Sequence, residues 1–209
     1  MIGFYDYTVI LTYLSAASAV VGMSFAAQGE LTKSILCLIL AGICDAFDGK
    51  VARSKKNRSN MQKSFGIQID SLCDLISFGL FPVVICHFLG MTGIWNAVIK
   101  VGYVIAAVIR LGYYNVMEEE SMRKTEHSRG YFQGMPVTSI AIILPFVYLI
   151  HHVVLGNDFG VGLSIMMAIV MICFVLNIKI KKPNPKLVAA FAAVGLCVVG
   201  FIMHRYGLK

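Results

Sequence analysis

Residues 31–53 read LTKSILCLILAGICDAFDGKVAR, an apolar run whose second half carries acidic and basic residues. The run is long enough for a helix that crosses a bilayer, which needs about 20 mostly apolar residues. Asp45 and Asp48 lie inside it, and carboxylates within a membrane helix are costly and usually functional. The stretch therefore predicts a membrane helix with a functional site near its C-terminal end.

Apolar runs of similar length recur along the chain and predict further membrane helices. They cover residues 7–28, 65–89, 92–117, 135–155 and 159–178, with a shorter run at 187–204. We expect an all-α fold, a polytopic membrane helix bundle of six to seven transmembrane helices that forms one domain over residues 1–209. The composition agrees, because 58% of the residues are apolar and only 14% are charged, which excludes a soluble globule and a disordered chain.

The net charge of +7 is distributed unevenly along the chain. Lys and Arg collect in the linkers 54–64 and 118–134 and in the break at 179–186, which alternating crossings place on one side of the membrane. By the positive-inside rule this side is cytoplasmic, and the N-terminus is predicted to lie there too. Basic loops of this kind face anionic lipid headgroups, so we expect membrane lipids and no nucleic acid as partners.

A second pair of acids follows in the next predicted helix. Asp70 and Asp74 are spaced i,i+4, so they lie on one helix face. Asp45 and Asp48, spaced i,i+3, also share a face. Counted from the nearest basic linker residue, Asp48 and Asp70 lie about 10 Å inside the membrane. Asp45 and Asp74 lie about 15 Å inside. Neighbouring antiparallel helices would therefore bring four carboxylates together at matched depths.

Four carboxylates at matched depths repel one another unless a cation joins them. Hard oxygen ligands of this kind suit Mg²⁺ or Mn²⁺, and we expect two ions. Gly49, Ala52 and Gly66 lie one helical turn from these acids and leave space for a ligand. Arg53 could hold a phosphate oxygen. The set predicts a site for a diphosphate and metal at the level of the cytoplasmic headgroups.

These residues carry a resemblance to a known family. DAFDGKVAR at 45–53 and GIQIDSLCD at 66–74 match the pattern D-x-x-D-G-x-x-A-R followed by G-x-x-x-D-x-x-x-D, which is similar to the signature of the CDP-alcohol phosphotransferases. The runs FGIQIDSLCDLISFG at 65–79, IRLGYYN at 109–115 and YFQGMP at 131–136 resemble the phosphatidylserine synthase branch. The first helix departs from that branch, because Thr12 is followed by Ser15 where T-x-x-N is usual.

The resemblance implies that CDP-diacylglycerol gives its phosphatidyl group to an alcohol, L-serine in this branch, with release of CMP. It implies a metal site formed by four residues, Asp45, Asp48, Asp70 and Asp74, with Asp74 also acting as general base. It implies a CDP-lipid site that includes Gly49, Ala52, Arg53, Ser64 and Gly66. It further implies a homodimer in a prokaryotic cell membrane, with the active site facing the cytoplasm.

A serine acceptor needs a partner for its carboxylate. Arg110 is a candidate because it lies about 10 Å from the cytoplasmic end of its helix, in the layer of the aspartates. Asn115 is a second candidate. Arg110 could equally form a structural ion pair or reach a lipid phosphate, and both interpretations stay open.

Two alternative functions also stay open. One is the same chemistry with glycerol 3-phosphate or inositol as acceptor. The other is a small cation transporter that uses the four acids as its ion path. Transport sites usually lie near the membrane midplane on broken helices, whereas these acids lie toward one face.

Overall fold

The computed structural model describes residues 3, 7–55, 59–123, 131–154, 159–177 and 179–181. Its helices are α1 (Ile10–Ala27), α2 (Leu31–Ser54), α3 (Asn60–Asp74), α4 (Phe81–Phe88), α5 (Ile94–Arg123), α6 (Ile140–Val154) and α7 (Phe159–Val175). Short 3₁₀ turns at Tyr7–Val9 and Val137–Ser139 lead into α1 and α6. A π-helical segment at Leu75–Leu80 joins α3 to α4.

Three stretches of the described chain are long and apolar enough to cross a membrane, namely Tyr7–Ala27, Asn60–Phe88 and Ile94–Ser121. Shorter apolar helices lie at Val137–Ile150 and Phe159–Val175. The predicted helical membrane fold is therefore confirmed as a class. The number of crossings and the cytoplasmic N-terminus stay predictions, and the predicted helix at 187–204 lies outside the described residues.

Two helices extend into segments that the sequence predicted as linkers. α3 begins at Asn60 rather than at residue 65, because Ser59 caps it. Ser59 Oγ accepts a hydrogen bond from the Gln62 backbone N–H at 3.2 Å, and Gln62 Oε1 accepts one from the Ser59 N–H at 3.0 Å. This reciprocal pair is a capping box. α5 likewise continues to Arg123, since its last turns are rich in Glu and Met, which favour helix.

The all-helical prediction missed one small feature. β1 (Tyr131–Gln133) pairs antiparallel with β2 (Lys179–Lys181), and Phe132 lies opposite Ile180. The pairing satisfies backbone N–H and C=O groups between α5 and α6 and after the end of α7, where they would otherwise need other partners. Segments of three residues are too short to show the alternation that predicts a strand.

α1 and α2 form a closely packed hairpin, which places the first acid-bearing helix beside the start of the chain. Ser18 Oγ donates to the Cys37 carbonyl at 2.9 Å, and Ser34 Oγ donates to the Gly22 carbonyl at 2.8 Å. A Cβ atom on Gly22 would lie 2.7 Å from Cys37 Cβ, so this approach requires glycine. α2 is not among the three described stretches that are long and apolar enough to cross a membrane, because charged residues interrupt it.

The π-helical segment begins directly after Asp74, and a proline accounts for its irregular hydrogen bonding. In an α-helix the Phe78 carbonyl would accept from the N–H of residue 82, but Pro82 has none. The hydroxyl of Tyr103 on α5 donates to the Phe78 carbonyl at 2.8 Å, and both side chains are fully buried. π-helical segments are frequent at functional sites, and this one separates the acid-bearing α3 from the core-packing α4.

Candidate active site

The acidic side chains of α2 and α3 converge at one place. One carboxylate oxygen from each of Asp45, Asp70 and Asp74 lies within 4.8 Å of the other two. The Asp45 carboxyl group contacts that of Asp74. The Asp48 carboxyl group contacts that of Asp70, and Asp48 is buried. These are the two pairs that the sequence predicts to lie at equal depths in the membrane. The structure therefore brings all four acids together.

α1 contacts α2 and the π-helical segment after α3 through hydroxyl groups one helical turn apart. Thr12 Oγ1 donates to Asp48 Oδ2 at 3.2 Å. Ser15 Oγ donates to Ser77 Oγ at 3.2 Å, three residues beyond Asp74 in the π-helical segment. All four contacting side chains are buried. α1 thus fixes the position of α2 relative to the segment that follows α3.

The cluster fits a divalent cation in donor type and in spacing. Within the described side chains, no Lys or Arg forms an ion pair with Asp45, Asp70 or Asp74, so their negative charge has no basic partner there. Oxygens on opposite sides of a Mg²⁺ ion are about 4.2 Å apart, from bond lengths near 2.1 Å. The observed carboxylate separations are compatible with that distance. Asp48, in contact with Asp70, could complete the ligand set.

The residues predicted to hold the CDP-lipid lie on the same two helices as the acids. Gly49 and Ala52 belong to α2, and Ser64 and Gly66 belong to α3; all four are partly buried. The backbone of Arg53 belongs to α2, whereas its side chain lies outside the described part of the chain. The structure therefore places these residues on the helices that carry the acids and leaves their roles as predictions.

A seam of polar side chains joins α3 to α5 at the end that carries the acids. Ser71 Oγ donates to Asn115 Oδ1 at 2.6 Å, and Asn115 Nδ2 donates to Gln68 Oε1 at 3.2 Å. Gln68 Nε2 and Ser64 Oγ both donate to Glu119 Oε1, at 3.0 and 3.1 Å. Both polar atoms of the Asn115 amide are thus engaged with α3. Its predicted contact with the acceptor stays a prediction.

Arg110 is a buried cation on α5, with 7% of its surface exposed. Its Nε donates to the Met135 carbonyl at 3.3 Å, and its guanidinium lies 5.9 Å from the centre of the Tyr114 ring. In the part of the chain that the structure describes, no Asp or Glu pairs with it. A structural ion pair is therefore not found among those residues. A buried charge without a counterion is unfavourable, so this arrangement favours an anionic ligand.

The loop before α6 is pressed against Arg110. Gly134 has a φ of +79°, in the left-handed region that favours glycine. A Cβ atom there would lie 3.2 Å from Arg110 Nε, 3.2 Å from the Leu176 carbonyl oxygen and 3.3 Å from that of Phe174. Glycine at this position lets the backbone approach both the guanidinium and the end of α7.

Comparison with known proteins decides the family. The family model of the CDP-alcohol phosphatidyltransferases matches residues 8–178, a range that contains the four acids, Arg110 and the loop at Gly134. The chain belongs to the CDP-alcohol phosphatidyltransferase family. It is an enzyme of that class, a membrane transferase of phospholipid biosynthesis.

This phosphatidyltransferase is similar to several curated relatives over most of its length. The CDP-diacylglycerol–serine O-phosphatidyltransferase of Mycobacterium tuberculosis is 28% identical over 211 residues, which cover 94% of this chain and 70% of the relative. The Helicobacter pylori protein of the same name is 29% identical over 181 residues, with 82% and 70% covered. The archaetidylserine synthase of Methanothermobacter thermautotrophicus is 28% identical over 141 residues, with 67% and 56% covered.

Three residues beside the phosphatidyltransferase site were not identified from the sequence as parts of it. They are Thr12, which contacts Asp48, and Gln68 and Glu119 in the seam. A signal for the seam was present, because Ser64, Gln68 and Ser71 follow the i, i+4, i+7 spacing of one helix face. Thr12 was noted only as the first position of the T-x-x-N pattern, and its contact with Asp48 depends on how α1 packs against α2.

Proposed function

We propose that this enzyme transfers the phosphatidyl group of CDP-diacylglycerol to the hydroxyl of L-serine, forming phosphatidylserine and CMP. The names of the relatives from M. tuberculosis and H. pylori support the serine acceptor. The observation in this chain that carries the assignment is Arg110, a buried guanidinium without an acidic partner among the described residues. A serine carboxylate supplies the missing negative charge, which inositol lacks. Glycerol 3-phosphate also carries a negative charge, so the choice of serine over that acceptor is supported by the names of the relatives.

Asp45, Asp48, Asp70 and Asp74 would hold Mg²⁺ or Mn²⁺, and we propose two ions. When bound, such ions neutralise diphosphate charge and stabilise the charge that develops on the transferred phosphoryl oxygens. The support for this proposal is the convergence of three carboxylate oxygens within 4.8 Å. The Asp side chains contribute by fixing where the diphosphate lies relative to the helices.

Asp74 is proposed to be the general base. It would accept the proton of the serine hydroxyl as the hydroxyl oxygen bonds to the phosphorus that carries diacylglycerol. The bond between that phosphorus and the oxygen of CMP breaks, and CMP leaves with the electron pair. Arg53 and Ser64 would contact the donor phosphates, while Gly49, Ala52 and Gly66 leave room for the nucleotide.

Arg110 would orient the acceptor. The Arg110 guanidinium lies 5.9 Å from the centre of the Tyr114 ring, one turn along α5, and Tyr114 interacts electrostatically with Asp70 and Asp74. This supports an acceptor position on the side of α5 that carries Arg110 and Tyr114. A guanidinium can bind a carboxylate through two parallel hydrogen bonds. Its Nε is already engaged with the Met135 carbonyl, which fixes the orientation of the group. Asn115 would assist from the same helix.

We also propose that the site faces the cytoplasm of a prokaryotic cell and that the enzyme is a homodimer. The orientation is supported by the basic segments 54–64 and 179–186, which the positive-inside rule assigns to the cytoplasmic side. The homodimer is inferred from the family alone.

An acceptor panel tests the proposed function. Purified enzyme is given CDP-diacylglycerol, Mg²⁺ or Mn²⁺, and one alcohol at a time, and CMP is measured. We expect release with L-serine that disappears in Asp74→Asn. Release with only glycerol 3-phosphate or inositol would refute the serine acceptor. No release with any alcohol, together with cation uptake into sealed vesicles, would favour transport instead.

A further inference from the structure

α1 carries no acidic residue over Ile10–Ala27, yet it touches the acid cluster directly. Thr12 Oγ1 lies 3.2 Å from Asp48 Oδ2 and donates a hydrogen bond to it. Thr12 is 5% exposed and Asp48 is 8% exposed, so bulk water does not compete freely for this bond. Asp48 is also the acid that contacts Asp70 on the neighbouring helix.

We infer that Thr12 is a positioning residue that orients the Asp48 carboxylate for a divalent cation. This inference rests on the proposed metal site and adds a residue to it. An Asp side chain that is not held by a partner can rotate about its single bonds and turn either carboxylate oxygen toward a neighbour. The hydroxyl of Thr12 engages Oδ2 and stabilises one rotamer of the Asp48 side chain, the rotamer in which the Asp48 carboxyl group contacts that of Asp70.

The chemistry of the donor supports this role over simple packing. A hydroxyl donates to an ionised carboxylate and stabilises its charged form, the form that a cation requires. Partners of this kind typically change metal affinity by about 10- to 100-fold when they are removed. At 3.2 Å the bond is long for a hydroxyl donor, so we expect the lower part of that range.

Ser15 provides a matched comparison on the same helix. It lies one turn from Thr12, is equally buried, and donates to another hydroxyl, that of Ser77, at the same distance of 3.2 Å. Removing the Ser15 hydroxyl therefore removes a buried hydrogen bond between helices without touching a carboxylate.

The test measures Mn²⁺ binding to purified full-length protein in detergent without lipid substrate, from the electron paramagnetic resonance signal of free Mn²⁺. Thr12→Val keeps the shape of the side chain and removes the donor. We expect its Kd for Mn²⁺ to rise by about tenfold. Thr12→Ser, which keeps the hydroxyl, and Ser15→Ala should bind like the unchanged protein.

The inference is overturned if Thr12→Val binds Mn²⁺ as tightly as the unchanged protein, or if Ser15→Ala weakens binding equally. Absence of Mn²⁺ binding by the unchanged protein overturns it as well. If Thr12→Val does not fold, the comparison of Thr12→Ala with Thr12→Ser replaces it. The acceptor panel is a separate measurement, so Mn²⁺ binding without transfer to serine would refute the proposed function and leave the role of Thr12 intact.

Discussion

Replacing Arg110 with Ala should raise the KM for L-serine and leave the KM for CDP-diacylglycerol nearly unchanged. The guanidinium is 7% exposed and has no acidic partner within the described residues. A bound serine carboxylate would therefore depend on it for charge neutralisation. A hydrogen bond to a charged group contributes about 1.5–3 kcal/mol. At 1.4 kcal/mol per factor of ten, the KM for serine should rise about 10- to 140-fold.

The assay is CMP release as a function of serine concentration, with donor and metal saturating. Arg110→Lys keeps the charge but loses the planar fork of the guanidinium. Its KM for serine should therefore lie between that of the unchanged enzyme and that of Arg110→Ala. Lys100→Ala is the control on the same helix, since Lys100 lies ten residues away and donates to the Met91 carbonyl at 3.1 Å. We expect this variant to keep the original KM for serine.

Two results would refute the reasoning. An Arg110→Ala protein that folds and keeps its KM for serine would show that the carboxylate binds elsewhere. An increase in the KM for the donor, with serine unaffected, would assign Arg110 to a lipid phosphate instead. Thermal unfolding in detergent, recorded for each variant, separates these outcomes from loss of structure.

Four further predictions follow from other contacts. Tyr103→Phe leaves the buried Phe78 carbonyl without the hydroxyl donor at 2.8 Å, and should lower the free energy of unfolding by about 1–3 kcal/mol; an unchanged unfolding transition in detergent would contradict this. Gly134→Ala places a Cβ 3.2 Å from Arg110 Nε at a φ of +79°, so the KM for serine should rise while Mn²⁺ affinity stays the same. Asn115→Ala should reduce thermal stability and raise the KM for serine less than Arg110→Ala does; an equal rise would make Asn115 a direct acceptor ligand. Chelation with EDTA should abolish CMP release, and added Mg²⁺ or Mn²⁺ should restore it, whereas activity that survives dialysis against EDTA would argue against the metal site.

The acid cluster could be predicted from the sequence because helix geometry alone relates its members. Spacings of i,i+3 and i,i+4 place each pair on one face, and equal distances from the basic linker place Asp48 level with Asp70. The structure pairs those two residues, and it pairs Asp45 with Asp74. No information about side-chain packing is needed for this conclusion.

The features that sequence reasoning missed depend on contacts between helices or on very short segments. The start of α3 was placed too late because its basic residues suggested a linker, although Ser59 and Gln62 carried a capping-box pattern. The π-helical segment follows from Pro82 together with a donor on α5, and only packing brings that donor close. The two short strands at Tyr131–Gln133 and Lys179–Lys181 have no periodicity to detect.

The hairpin of α1 and α2 has a consequence for how the protein enters the membrane during its synthesis. α2 carries Asp45, Asp48 and other charged residues, and each such group near the centre of a lone helix opposes insertion by about 2.5–3.5 kcal/mol. α1 has no charged residue between Ile10 and Ala27, and its hydroxyls donate to α2 at the Cys37 carbonyl and at Asp48. The two helices are joined through Gln28, Gly29 and Glu30. We therefore expect the two helices to enter the bilayer together, and α2 to insert less efficiently in a chain that lacks α1.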